Sequence, residues 1–233
     1  MESHEIEQVL AACEHRLDQP GPVDVGSLGL WKAVAAVKRD GALTEKHADR
    51  IARIDDEAFR RWALWSIPIG VGEALLWAGT LIALGVVAAG YYVDSPLNGV
   101  LLIVGTGGLL VTTHGLGHLV VGRRFGIRFT WLFIGRIQQP QPGVKTDYAS
   151  YLRTPAARRA WMHASGALVT KAIPFIMLGA AFAMDAPAWS WMLLIVIGLV
   201  AIITDVAWST SKSDWKKFRR EMALTRVSTV PPG

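Results

Sequence analysis

Four long apolar stretches, at about residues 64–91, 100–121, 161–184 and 189–208, set the pattern of this chain. Each has the roughly twenty residues that a helix needs to cross bilayer hydrocarbon. The first sixty residues read differently, with apolar positions recurring at helical spacing between charged ones. They predict three short helices at about 5–17, 28–39 and 43–62, interrupted by Pro20-Gly21-Pro22 and by Gly41. Thr44 is the expected N-cap of the third, and Lys46, Arg50 and Asp55 predict a solvated face on it. Between the second and third apolar stretches, residues 125–137 are apolar and aromatic with interspersed arginine. That segment predicts either a re-entrant hairpin or a strand pair at the membrane surface. Residues 138–144, with Pro140, Pro142 and Gly143, predict a loop. The fold class expected is all-α and polytopic, with about four transmembrane helices, a re-entrant or interfacial segment and a small helical cytosolic N-terminal region. Its parts are a soluble region at 1–60, a membrane domain at 61–210 and a basic interfacial tail at 211–233.

Composition agrees with that reading. Hydrophobic residues make up 52% of the chain and there are ten tryptophans, as expected for a membrane protein with a modest soluble part. The start is acidic and polar, without the basic and apolar regions of a secretory leader, so none is expected. The single cysteine, Cys13, excludes an internal disulfide and suits a reducing compartment. The net charge of +5 is not a nucleic-acid footprint, because the basic residues cluster beside the apolar stretches. Arg60-Arg61, Arg123-Arg124, Arg158-Arg159 and Lys216-Lys217 flank one set of ends, whereas the connectors at 94–97 and 185–187 carry no lysine or arginine. The positive-inside rule therefore predicts both termini and the 123–160 connector on the cytoplasmic side. In the tail, the aromatic and basic residues from Ser211 to Glu221 predict an interfacial helix against anionic lipid.

Ionisable residues inside the apolar stretches carry the candidate chemistry, since such groups are costly in hydrocarbon and mark function by default. His114 and His118 are four apart, on one face of a helix, where two imidazoles can share a metal ion. Counting inward from the basic flanks at the helical rise, His118 lies roughly 8 Å deep and His114 roughly 14 Å. Asp205 lies roughly 10 Å inward from Lys212, and His163 roughly 6 Å inward from Arg159. Two histidines and the Asp205 carboxylate form a ligand set that zinc accepts, with a fourth position left for water. The alternative for the histidines is a helix–helix contact, with each ring satisfied by a carbonyl or a hydroxyl such as Thr112. His163 reads as a supporting donor or an interfacial histidine. Glu73 and Lys171, at matched depths and of opposite sign, predict an ion pair.

These residues resemble the site-2 protease family of intramembrane zinc metalloproteases. The run His114-Gly115-Leu116-Gly117-His118, with Arg123-Arg124-Phe125-Gly126-Ile127 after it, is similar to the family's His-Glu-x-Gly-His helix and the Arg-x-x-Gly-Ile that follows. Ala164 to Thr170 is similar to its Ala-Gly-Pro-x-Ala-Asn stretch, with proline and asparagine replaced. The resemblance covers about residues 100–209 and implies Zn2+ on His114, His118 and Asp205; His163, Thr170 and Lys171 are the candidates to support these ligands. It implies hydrolysis of peptide bonds in transmembrane protein substrates. The family's general base is the glutamate after the first histidine, where this chain has Gly115; Glu73 and Asp147 are weak substitutes. The alternative is a catalytically inactive homologue that binds membrane clients or a partner protein. Diiron lipid-modifying chemistry needs more histidines than this membrane core holds.

Overall fold

The computed structural model of the chain describes residues 1–21, 23–136, 142–207 and 213–227. Pro22, the Gln138–Gln141 part of the expected loop, Trp208 and the Ser211-Lys212 start of the tail lie outside the described residues. The chain forms two compact units, one from residues 1–69, 122–159 and 224–233, the other from 70–121 and 160–223.

In the first unit, helices α1 (Ser3–Leu17), α2 (Leu30–Val37) and α3 (Gly41–Trp62) enclose an apolar core of Ile6, Leu10, Leu30, Val37, Ile51 and Ile54, all nearly inaccessible. The cap of α3 is Asp40, not Thr44. The Asp40 carboxylate accepts from the amides of Ala42 and Leu43 at 2.8 and 3.2 Å. Thr44 is buried in the first turn and its hydroxyl donates to the Val37 carbonyl. A short carboxylate two and three residues ahead of the helical amides reaches both of them, which a threonine inside the turn cannot do.

A second difference concerns the connector after the second apolar stretch. Strands β1 (Trp65–Pro68), β2 (Phe129–Ile134) and β3 (Pro142–Thr146) form one antiparallel sheet in the order β1-β2-β3, followed by helix α6 (Tyr148–Arg153). Residues 65–68 therefore extend as a strand rather than opening the first apolar helix, and 142–144 form a strand rather than loop. The β-branched and aromatic run Phe129-Thr130-Trp131 favours that extended state, and the flanking strands satisfy its backbone on both sides. The polar face of α3 docks these elements. Asp55 pairs with Lys145 of β3, Asp56 accepts from the Trp131 indole at 3.0 Å, and Asp49 takes a two-pronged contact from Arg153 at 2.8 and 2.9 Å. Asp55, expected in solvent, is buried for that reason.

Arg50 bridges Glu14 of α1, at 2.6 and 2.7 Å, and Glu7 at 2.5 Å. Hydrogen bonds from Lys46 and Arg50 hold the Glu7 and Glu14 carboxyls below their ordinary 4.5, and burial holds His47 below its ordinary 6.5. All three groups bind protons more readily once unfolded, so stability is lost as pH falls, first through 6.5 and then further below 4.5. Hydrogen exchange of the full chain, corrected for intrinsic rates, should show protection of α1–α3 falling in those two steps. Unchanged protection from pH 7 to 4 would remove these groups from the account.

Most of the length of four helices long and apolar enough to cross a membrane lies in the second unit: α4 (Ile69–Ala89), α5 (Leu97–Arg124), α7 (Ala156–Ala183) and α8 (Ala188–Ala207). Large apolar side chains such as Leu81, Ile82 and Phe182 are exposed on them, as suits surfaces that meet lipid. Small residues let the backbones close. A Cβ on Gly105 would lie 2.8 Å from the Ala83 carbonyl, and one on Gly117 would lie 3.2 Å from the Gly166 backbone. The last element is α9 (Asp214–Val227), whose first turn belongs to this unit.

Candidate metal centre

Three donor atoms converge in the second unit, from α5 and from the first residue of α9. His114 and His118 Nε2 are 3.3 Å apart. Asp214 Oδ2 lies 3.3 Å from the first and 3.1 Å from the second. Metal–ligand bonds of about 2.0–2.1 Å at tetrahedral angles put neighbouring donor atoms about 3.3 Å apart. The three edges, 3.1 to 3.3 Å, are close to that length, and among the described residues this is the group of histidine, cysteine and acidic residues with ligand atoms so gathered.

The hydrogen-bond network says which face of each ring is bare. His118 Nδ1 lies 2.7 Å from the Met162 carbonyl, which only accepts, so Nδ1 carries the proton. His114 Nδ1 lies 2.9 Å from Thr170 Oγ1, and the Thr170 hydroxyl donates to the Gly166 carbonyl at 3.0 Å. Thr170 therefore accepts from His114 Nδ1. In the neutral rings both Nε2 atoms are then lone pairs facing a carboxylate oxygen, an arrangement that a bound cation would satisfy. A metal ion fits it, with both rings oriented from behind in the way ligating histidines usually are.

Asp214 completes the picture on its other oxygen. Lys217 donates to Oδ1 at 3.0 Å, and His163 Nδ1 approaches the same atom at 4.0 Å. Burial alone would raise this carboxyl, but the imidazoles beside Oδ2 and the Lys217 ammonium on Oδ1 hold it below the ordinary carboxylate range. It is anionic at neutral pH.

Asp205 is not in this group. Its carboxylate pairs with Lys171 of α7, whose ammonium also donates to the Ala167 carbonyl at 3.2 Å. The depth count placed Asp205 level with the histidines but carried no information about which helix face it shares. Lys171 is thereby paired with Asp205 rather than with the expected Glu73, which lies in the second turn of α4. Of the other expected residues, Thr170 orients His114 and His163 faces Asp214. Asp147 caps α6 and pairs with Arg128 at 2.9 Å, so its carboxylate is committed in the first unit. Sequence reasoning passed over Asp214 because it lies beyond the last apolar stretch, in a segment read as an interfacial tail. Its one signal was an acid set among lysines and arginines.

Comparison of the chain with protein-family models, with curated proteins and with solved structures finds no match.

Proposed function

We propose that the chain is a membrane-embedded zinc protein of the site-2 protease type, with His114, His118 and Asp214 as the ligands. The observation that supports it is the triangle of bare donor atoms with tetrahedral spacing. The basic flanks favour both termini and the metal-proximal ends of the spans on the cytoplasmic side. When bound, zinc supplies Lewis acidity and lowers the pKa of a coordinated water. Thr170 and the Met162 carbonyl fix the rings, and Lys217 fixes the carboxylate. The substrate class proposed is a peptide bond in a transmembrane protein.

Gly115 favours a second reading, a homologue that keeps the metal scaffold and binds membrane clients without cleaving them. A hydrogen for a side chain accepts no proton, and a positioned general base contributes about 10²- to 10⁴-fold. The purified protein should hold zinc stoichiometrically, and its absence would sink the metal reading. With zinc present, cleavage of a helical membrane substrate by the native chain selects the hydrolase. Cleavage only after Gly115→Glu selects the non-cleaving homologue.

A further inference from the structure

A groove in the first unit has several arginines and no acidic residue in its lining. One part, of about 440 Å³, is walled by Phe125 and bordered by Arg128, Arg153, Arg158, Ser150 and Thr154. A neighbouring part, of about 420 Å³, shares Gly126 and Arg128 and adds Arg123. Four arginines thus border two adjoining parts of the groove, each of a size ordinary for a small-ligand site.

The local chain explains the convergence. Helix α5 ends in a paired-turn cap, in which Ile127 N–H bonds to the Gly122 carbonyl at 2.9 Å and Gly126 N–H to the Arg123 carbonyl at 3.0 Å. Gly126 has φ +83°, a left-handed conformation that glycine adopts without strain. That turn brings Arg128 back beside the helix end. On the other side, the buried Arg159 donates to the Leu152 and Thr154 carbonyls and fixes the corner between α6 and α7. Two of the bordering cations are held from outside the groove, Arg128 by Asp147 and Arg153 by Asp49. Arg158 is exposed and has no carboxylate partner among the described residues.

The lining lies in the chain between Arg123, in the last turn of one apolar span, and Thr154 to Arg158, where the next begins. Chain at the ends of membrane spans meets the phosphate layer, and basic pockets there take anionic head groups. Planar guanidinium forks match phosphate oxygens in pairs, and Arg158 has no carboxylate partner among the described residues to compete for its fork. We propose that this groove binds the phosphate of an anionic phospholipid head group. The inference rests on the membrane reading of the chain and not on the metal site.

The test uses the purified full chain in detergent, with bound lipid counted by native mass spectrometry after exposure to phosphatidylglycerol or to phosphatidylcholine. Phosphatidylglycerol should be retained preferentially, and Arg158→Gln should weaken that retention by about fivefold, the effect of one cation near an anionic surface. Arg158→Lys should recover part of it. Neutralising Lys216, Arg219 and Arg220 on the tail helix should leave the Arg158-dependent part in place. Because Arg158 carries no ion pair among the described residues, its replacement strands none of their carboxylates, and helical circular dichroism checks the fold. Equal retention by the native chain and Arg158→Gln, or retention lost only in the tail variant, would overturn the proposal. Displacement of the lipid by millimolar inorganic phosphate would assign the groove to a free phosphate compound and overturn the lipid assignment.

Discussion

Asp214→Ala should cost the protein more than about 100-fold in zinc affinity, whereas Asp205→Ala should leave zinc affinity nearly unchanged. Loss of groups that merely support ligands typically costs 10- to 100-fold, and removal of one of three ligands exceeds that. Asp214 Oδ2 is the single oxygen within 3.3 Å of both imidazole nitrogens among the described residues. Asp205 instead neutralises Lys171. Its removal leaves an ammonium among apolar helices, at a cost of about 1–3 kcal/mol, below the range for fully buried pairs because both side chains are partly exposed. Zinc titration against a competing chelator and thermal unfolding in detergent separate the two outcomes. If Asp205→Ala loses the metal and Asp214→Ala keeps it, the ligand assignment is wrong.

Gly166→Ala should reproduce much of the metal defect without touching a ligand. A Cβ at this position would lie 2.4 Å from His118 Nε2 and 2.6 Å from the adjoining ring carbon. The ring cannot swing away freely, because its Nδ1 is tied to the Met162 carbonyl on the same helix as Gly166. The expected result is a 10- to 100-fold loss of zinc affinity, as for other disturbed ligand supports, with about 1–3 kcal/mol of overpacking cost. Gly107→Ala, where nothing lies within 4 Å, is the matched control and should leave the metal in place. A Gly166→Ala protein with native zinc affinity would mean that the ring is not confined as described.

The two histidines were legible because their spacing is local. A four-residue step puts two side chains on one helix face whatever the rest of the chain does. Thr170 came from a resemblance on the neighbouring helix, and the structure sets its hydroxyl against His114. The third donor was not legible in the same way. Depth along an axis orders Asp205 with the histidines, but rotation about the axis decides contact, and that rotation turns Asp205 to Lys171. Asp55 shows the same limit in the soluble unit, where an apparently solvated acid finds Lys145 ninety residues later in the chain.

The sequence by itself determined four apolar helices, three N-terminal helices, and the pair of imidazoles set a turn apart. These depend on composition and period, which act over a few residues. Only the tertiary structure decided that Asp214 meets the histidines, that Gly166 leaves room for a ring, and that the connector arginines line one groove. Each is a contact between distant segments, fixed by how helices rotate and strands register once their apolar faces are buried.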